Sequence, residues 1–359
     1  MPKVTFNKGD RLFYASLKTA VNNYFIDTKC RKTGNLRLYA KTVVLILAAL
    51  ALYVVLLAKP LPWPALIAGS LIMGFVLACI GFNVMHDANH GSYSSRKWVN
   101  ELMGLTLNAL GGNNFIWKQK HNIVHHTYTN IDGVDDDIAK SPFIRMCPSQ
   151  PWVPAHRLQH IYTPVLYALS SIIWVLFQDF DKYFKKKIVD TPLSKMSAAD
   201  HIVFWTSKVL YLFFYIALPL ALVGWKAWLV FFLAMNVGLG LTLSIVFQLA
   251  HVVGETTFEF ATGDNTQIEN EWAIHQVKTT ANFSPNRPVT SWLVGGLNYQ
   301  VEHHLFPRIS HIHYPALSKI VKNECTAFNL PYHSLPSLRA AIQSHFRFIR
   351  ALGRKPVIA

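Results

Sequence analysis

The chain has 359 residues, 52% hydrophobic and only 15% charged, against roughly 25% charged in an ordinary soluble domain. Its 34 Lys and Arg outweigh 19 acidic residues, for a formal net charge of +15. These values argue against a soluble enzyme. They also argue against a nucleic-acid partner, because the basic residues flank apolar segments instead of clustering on a polar domain. Lipid headgroups and an acidic protein are the better counterparts.

No signal peptide opens the chain, since the first apolar run begins near Tyr39, and residues 1–359 read as a single domain. Phe13, Leu17, Val21, Tyr24 and Phe25 have helical spacing and predict an amphipathic helix over about 11–28. It could lie at the membrane interface or pack on a cytosolic domain. Cys30, Cys79, Cys147 and Cys325 are scattered without a CxxC pair, which points to a reduced, cytosol-facing setting.

A bilayer span needs about 20 mostly apolar residues. Stretches at about 39–58 and 64–85 qualify, joined by the turn Lys59–Pro64. At the end of the second stands His86-Asp-Ala-Asn-His90, whose histidines share a helical face. Next comes His121-Asn-Ile-Val-His125-His126. His121 and His125 share a face while His126 points about 100° away, so one short helix could feed two metal ions. Alone, each pattern also suits zinc or a plain hydrogen-bonding group. Asp132, Asp135, Asp136 and Asp137 follow, as orienting carboxylates or as a solvated acidic turn.

Two further spans, about 202–223 and 226–250, are joined by Gly224-Trp225-Lys226. A helix over the latter would be roughly 37 Å long, enough to project His251 past the hydrocarbon core. The third cluster, Gln300-Val-Glu-His303-His304, adds adjacent histidines and an amide one turn earlier. Gln300 could ligate directly, bind through a water, or orient a neighbour. Asp87, Glu255 and Glu302 are further carboxylates available to hold ligand rings. His275 lies in a polar segment and, with the remaining histidines, reads as structural.

Seven histidines in three clusters exceed the ligands of one mononuclear zinc site, so a dinuclear centre is expected. Imidazole suits iron, copper and zinc alike, which leaves the metal open. The stretch 161–178 is nearly apolar enough to cross. If it crossed, the second and third clusters would face opposite sides of the membrane, so parity lays it flat at the interface. The positive-inside rule puts both termini and the clusters in the cytoplasm, and a bacterial inner membrane is the expected location. The fold expected is an all-α integral membrane protein, four transmembrane helices in two hairpins under a cytosolic helical cap.

The boxes resemble those of the membrane fatty acid desaturase family. The similarity is close in Phe82-Asn-Val-Met-His86-Asp-Ala-Asn-His90 and His121-Asn-Ile-Val-His125-His126-Thr-Tyr-Thr-Asn130, and closest in Gly295-Gly-Leu-Asn-Tyr-Gln300-Val-Glu-His-His304-Leu-Phe-Pro307. Gln300, in place of a first histidine, resembles the front-end subgroup, especially cyanobacterial-type delta-6 acyl-lipid desaturases. The resemblance implies two irons held by His86, His90, His121, His125, His126, His251, His303 and His304, with Gln300 nearby, O₂ as co-substrate and a lipid-linked acyl chain. The HxxxH spacing of the first box departs from many acyl-CoA desaturases, which place one more residue between the histidines. No HPGG motif of a fused b5-type domain is present, so electrons are expected from a separate ferredoxin or b5-type cytochrome. Two rivals use the same residues: a lipid hydroxylase on the same scaffold, and a zinc-dependent intramembrane hydrolase. The hydrolase would want Glu at position 87, where Asp stands. A third, a non-enzymatic lipid receptor or metal carrier, would consume no O₂.

Overall fold

The computed structural model describes residues 4–7, 12–58, 60–260 and 267–356. The first apolar run forms α2 (Leu36–Ala58), and Pro62 and Pro64 open α3 where a missing N–H costs nothing. The second run continues beyond the expected 64–85. After Ile80 it passes through a π turn, Gly81–Met85, into a last helical turn, His86–Asn89, so α3 spans Trp63–Asn89. The helical run Ala198–His251 is broken at Gly224, whose φ of 75° only glycine adopts freely. The break divides it into α8 (198–223) and α9 (225–251).

α3 and α9 approach closely because both carry glycine at the contact. A Cβ on Gly74 would collide with the Met235 carbonyl, and one on Gly238 with the Leu71 carbonyl. Small residues let backbones meet in this way inside membranes. Met73, Leu77, Phe231, Met235 and Leu239 bury the rest of the seam. Leu47, Val54 and Val55 on α2, and Val209, Leu212 and Phe213 on α8, face outward. Apolar side chains on the outside are what lipid contact requires.

The stretch around 161–178 belongs to a longer helix, α7 (Pro154–Lys185), roughly 48 Å from end to end. By length and composition it too could cross a membrane. Both its ends are tied to the loop that follows the second histidine cluster. At its start, Gln159 exchanges hydrogen bonds with the Arg145 backbone at 2.9 and 3.1 Å. Near its end, Lys182 pairs with Asp136 at 3.1 Å. Midway, Ser171 donates to Asn236 Oδ1 of α9 at 2.9 Å.

Shorter helices cover the ends of α3 and α9: α4 (Lys97–Gly104), α5 (Thr106–Ala109), α6 (114–128), α10 (Trp272–Thr279), α11 (Pro288–Leu293), α12 (Gln300–Leu305), α13 (Tyr314–Ala327) and α14 (Leu338–Leu352). The N-terminal helix α1 (Leu12–Thr28) buries Phe13, Leu17, Val21 and Phe25 against Val277, Leu317, Val321 and Cys325. Its apolar stripe is therefore spent on the cap.

Candidate metal centre

All eight histidines named from sequence converge. The ring nitrogens of His86, His90, His121 and His303 lie within 4.8 Å of one another, as do those of His125, His251 and His304. His126 sits between the groups, within the same distance of His303 and His304. Every one of these side chains is buried, from 8% exposed at His90 to 0% at His251 and His304. Gln300 is buried at the start of α12, one turn before His303 and His304.

Local backbone geometry decides who joins which group. Residues Gln119–His125 of α6 form a π turn, whose hydrogen bonds run i to i+5. His126 Nε2 therefore faces His121 Nε2 at 3.3 Å, a pair five residues apart. His121 groups with the first cluster and His125 with His251 and His304, although the two rings still stack at 5.3 Å. One short helix feeds both groups, by a register that ordinary helical spacing does not produce.

The outward nitrogens are held. His125 Nδ1 lies 3.1 and 3.3 Å from the Asp135 carboxylate, His303 Nδ1 lies 3.0 Å from Tyr314 Oη, and His304 Nδ1 lies 2.9 Å from Gln276 Oε1. An Nδ1–H donated to Asp135 or Gln276 leaves the lone pair on the inward Nε2. The inward Nε2 atoms of His90, His125, His303 and His304 are buried without a hydrogen-bond partner, as are Nδ1 of His126 and both ring nitrogens of His251. Orphaned buried acceptors are costly unless something occupies the space between them. Burial first, then mutual repulsion among the rings, pushes His90, His121, His126, His303 and His304 below the ordinary histidine range. Neutral imidazole is the ligating form. His125 differs: burial lowers it, but Asp135 and Asp137 outweigh that and raise it. The donor set fits two neighbouring transition-metal ions.

The carboxylates divide by task. Asp135 also accepts from the backbone N–H of Asn130 and Asp137, both at 3.0 Å, so it is fixed and not a solvated turn. Lys120 pairs with Asp136 and Asp137 at 3.2 and 2.5 Å. Burial would raise Asp136, but Lys120, Lys140 and Lys182 outweigh it and hold the carboxyl well below its usual range. Asp87 bonds Ser310 Oγ at 2.7 Å and His311 Nδ1 at 3.0 Å; Lys41 lies 3.4 Å from the other nitrogen of that ring. Asp132 accepts from Ser149 and Gln150, Glu302 from Asn282 and Tyr332, and Glu255 from Ser344. These hydrogen bonds end on groups other than the eight rings. His275 bonds the Thr129 carbonyl at 2.8 Å and stays outside both groups.

Several contributors carry no histidine-box signal. The Trp117 indole stacks on His121 at 4.3 Å, and Phe247 packs on His125 and His251 at 5.0 and 4.9 Å, closing apolar walls around the rings. Asn130, in the left-handed region at φ 56°, donates to the carbonyls of His251, Thr257 and Thr279. It ties the end of α9 to the second cluster. Asn and Asp tolerate that conformation better than most residues.

Residues 60–336 match the fatty acid desaturase family. Over 346 residues the chain is 36% identical to the sn-1 linoleoyl-lipid 6-desaturase of Synechocystis sp., covering 96% of each. The chain is a member of the fatty acid desaturase family. It is 35% identical to the sn-1 linoleoyl-lipid 6-desaturase of Arthrospira platensis, over 99% of this chain and 96% of that one. To the acyl-lipid (8-3)-desaturase of Physcomitrium patens it is 33% identical, over 95% of this chain and 72% of the moss protein. As a desaturase it is an oxidoreductase, and the paired imidazole groups are what the family's redox chemistry draws on.

Proposed function

We propose that this protein is a membrane-embedded acyl-lipid desaturase that inserts a cis double bond near the carboxyl end of the chain, with delta-6-like regiochemistry. Two irons would be held by His86, His90, His121 and His303 on one side and by His125, His251 and His304 on the other, with His126 between them. The carrying observation is the pair of adjacent buried nitrogen groups whose outward nitrogens are anchored and whose inward nitrogens are free. The names of the relatives, 6-desaturases and a front-end acyl-lipid desaturase, support the substrate class and position.

Breaking two unactivated C–H bonds is beyond any side-chain acid or base; a reduced iron pair with O₂ supplies the oxidant. The protein's own contribution is positional. Asp135, Gln276 and Tyr314 fix the rings, and Trp117 and Phe247 present apolar faces beside them. An alkyl chain can approach there while water is kept away. Electrons would come from a ferredoxin or a b5-type cytochrome.

For topology, we infer one domain with α2, α3, α8 and α9 crossing the bilayer as two hairpins and α7 lying along the cytoplasmic face. The ties from both ends of α7 to the single loop after the second cluster support this. The termini and metal centre would face the cytoplasm of a bacterial inner membrane. The test pairs a metal count with product analysis on the purified protein, given a competent donor and lipid. Two irons per chain and a new cis double bond are expected. Full iron loading with only a hydroxylated product, or activity carried by zinc alone, would refute the assignment.

A further inference from the structure

An apolar cavity of about 590 Å³ lies between α2, α3, α5 and α8, inside the roughly 300–1,000 Å³ of small-molecule sites. Ala49 and Tyr53 of α2, Met73 and Leu77 of α3, Ala109 of α5 and Tyr211 of α8 contribute to its wall, and no charged side chain or histidine does. Its polar groups are largely spent on one another. Tyr53 Oη donates to the Phe214 carbonyl at 2.5 Å, Asn108 Nδ2 to Ser207 Oγ at 3.3 Å, and Ser207 Oγ to the Phe204 carbonyl at 2.8 Å. Asn108 Oδ1 is buried without a partner, but as an acceptor it offers no grip on a phosphate. A headgroup would find nothing there to hold it. Hydrocarbon would.

Position says which part of a hydrocarbon. Leu77 precedes His86 by nine residues on α3, about 13.5 Å along the helix. On the opposite wall, Ala109 leads through Gly111 and Gly112 into α6, whose Trp117 stacks on His121. The cavity is also open at the side. Leu50, Ile202 and Leu210 line it while remaining 56%, 66% and 48% exposed, on the outward surface of α2 and α8.

We propose that this cavity receives the methyl-terminal part of the acyl chain, and that its side mouth lets longer tails run out into the bilayer. This rests on the acyl-lipid desaturase reading and adds to it. The double-bond position is then set from the carboxyl side, with no fixed wall measuring the far end of the chain.

The test supplies vesicles or cells with lipids carrying sixteen-, eighteen- and twenty-carbon acyl chains and compares product from each. The wild type is expected to convert the two longer chains comparably. Ala109→Trp and Ala49→Trp, which fill the cavity, should lower the twenty- to sixteen-carbon product ratio about tenfold. Ala109→Leu should move it in the same direction by less, and it decides the matter if the tryptophan variants fail to assemble, judged by bound iron. An unchanged ratio in iron-loaded variants, with wild-type desaturation intact, overturns the cavity assignment alone. If the wild type forms no alkene from any of the lipids, the desaturase reading falls and takes the cavity with it.

Discussion

His125 is the ligand whose surroundings pull hardest in two directions. Burial favours its neutral form, while Asp135 and Asp137 beside its Nδ1 favour the charged one. The carboxylate keeps the proton on Nδ1 and raises the basicity of the inward nitrogen. Asp135→Asn is therefore expected to weaken metal binding by about 10- to 100-fold, as loss of such a partner does elsewhere. Competition with a calibrated chelator measures it; wild-type affinity would mean that Asp135 only shapes its turn. His251→Ala should lower bound metal below the wild-type count and abolish desaturation, read by metal analysis of the purified protein. The eight histidines were legible because each pattern repeats a ligating residue at short spacing. Asp135 was not separable from Asp136 and Asp137, since three adjacent acids look alike. What singles it out is a turn begun by Asn130 at positive φ, which aims Asp135 at His125 and Asp136 at Lys120 and Lys182.

Among elements, α7 carries the open question of topology. Composition cannot distinguish a helix that crosses from one that lies along the membrane, because both bury an apolar surface in lipid. The parity argument could, and the hydrogen bonds to Arg145 and the Lys182–Asp136 pair give it a physical means. Single cysteines at Ser149 and Lys186, in a Cys30→Ser background, should both react with an impermeant maleimide from the side that holds the metal centre. Labelling from opposite sides would show that α7 crosses. The π turns in α3 and α6 were not legible either. A π turn is set by tertiary demand on the histidines and not by propensity, so ordinary helical spacing misassigned which histidines of the second cluster pair most closely. The α3–α9 seam gives a further test at this scale. Gly238→Leu has no room against the Leu71 carbonyl and should cost about 1–3 kcal/mol or more of stability. The expected readout is a lower melting temperature in detergent, with loss of bound metal as His86 and His251 move apart.

Across the whole molecule, the basic excess has a definite place. Lys319 and Lys322 on α13, and Arg339, Arg347, Arg350, Arg354 and Lys355 on and after α14, are exposed. Both helices reach the metal centre directly. Tyr314 on α13 touches His303, and His345 on α14 bonds the Val252 carbonyl at 2.6 Å, one residue beyond His251. A positive surface over a buried redox site suits an acidic electron carrier, whose approach it would accelerate without adding much to the final affinity. That force is screened over about 10 Å at 0.1 M salt. The rate of electron delivery from a ferredoxin or b5-type donor should therefore fall steeply as ionic strength rises, while the dependence on lipid concentration stays flat. Arg347→Glu combined with Arg350→Glu should slow donor association further at low salt and flatten the salt dependence, with bound iron unchanged. Stopped-flow reduction of the metal centre, followed across a salt series, reads both effects. A wild-type rate indifferent to salt would assign the basic surface to the lipid headgroups alone.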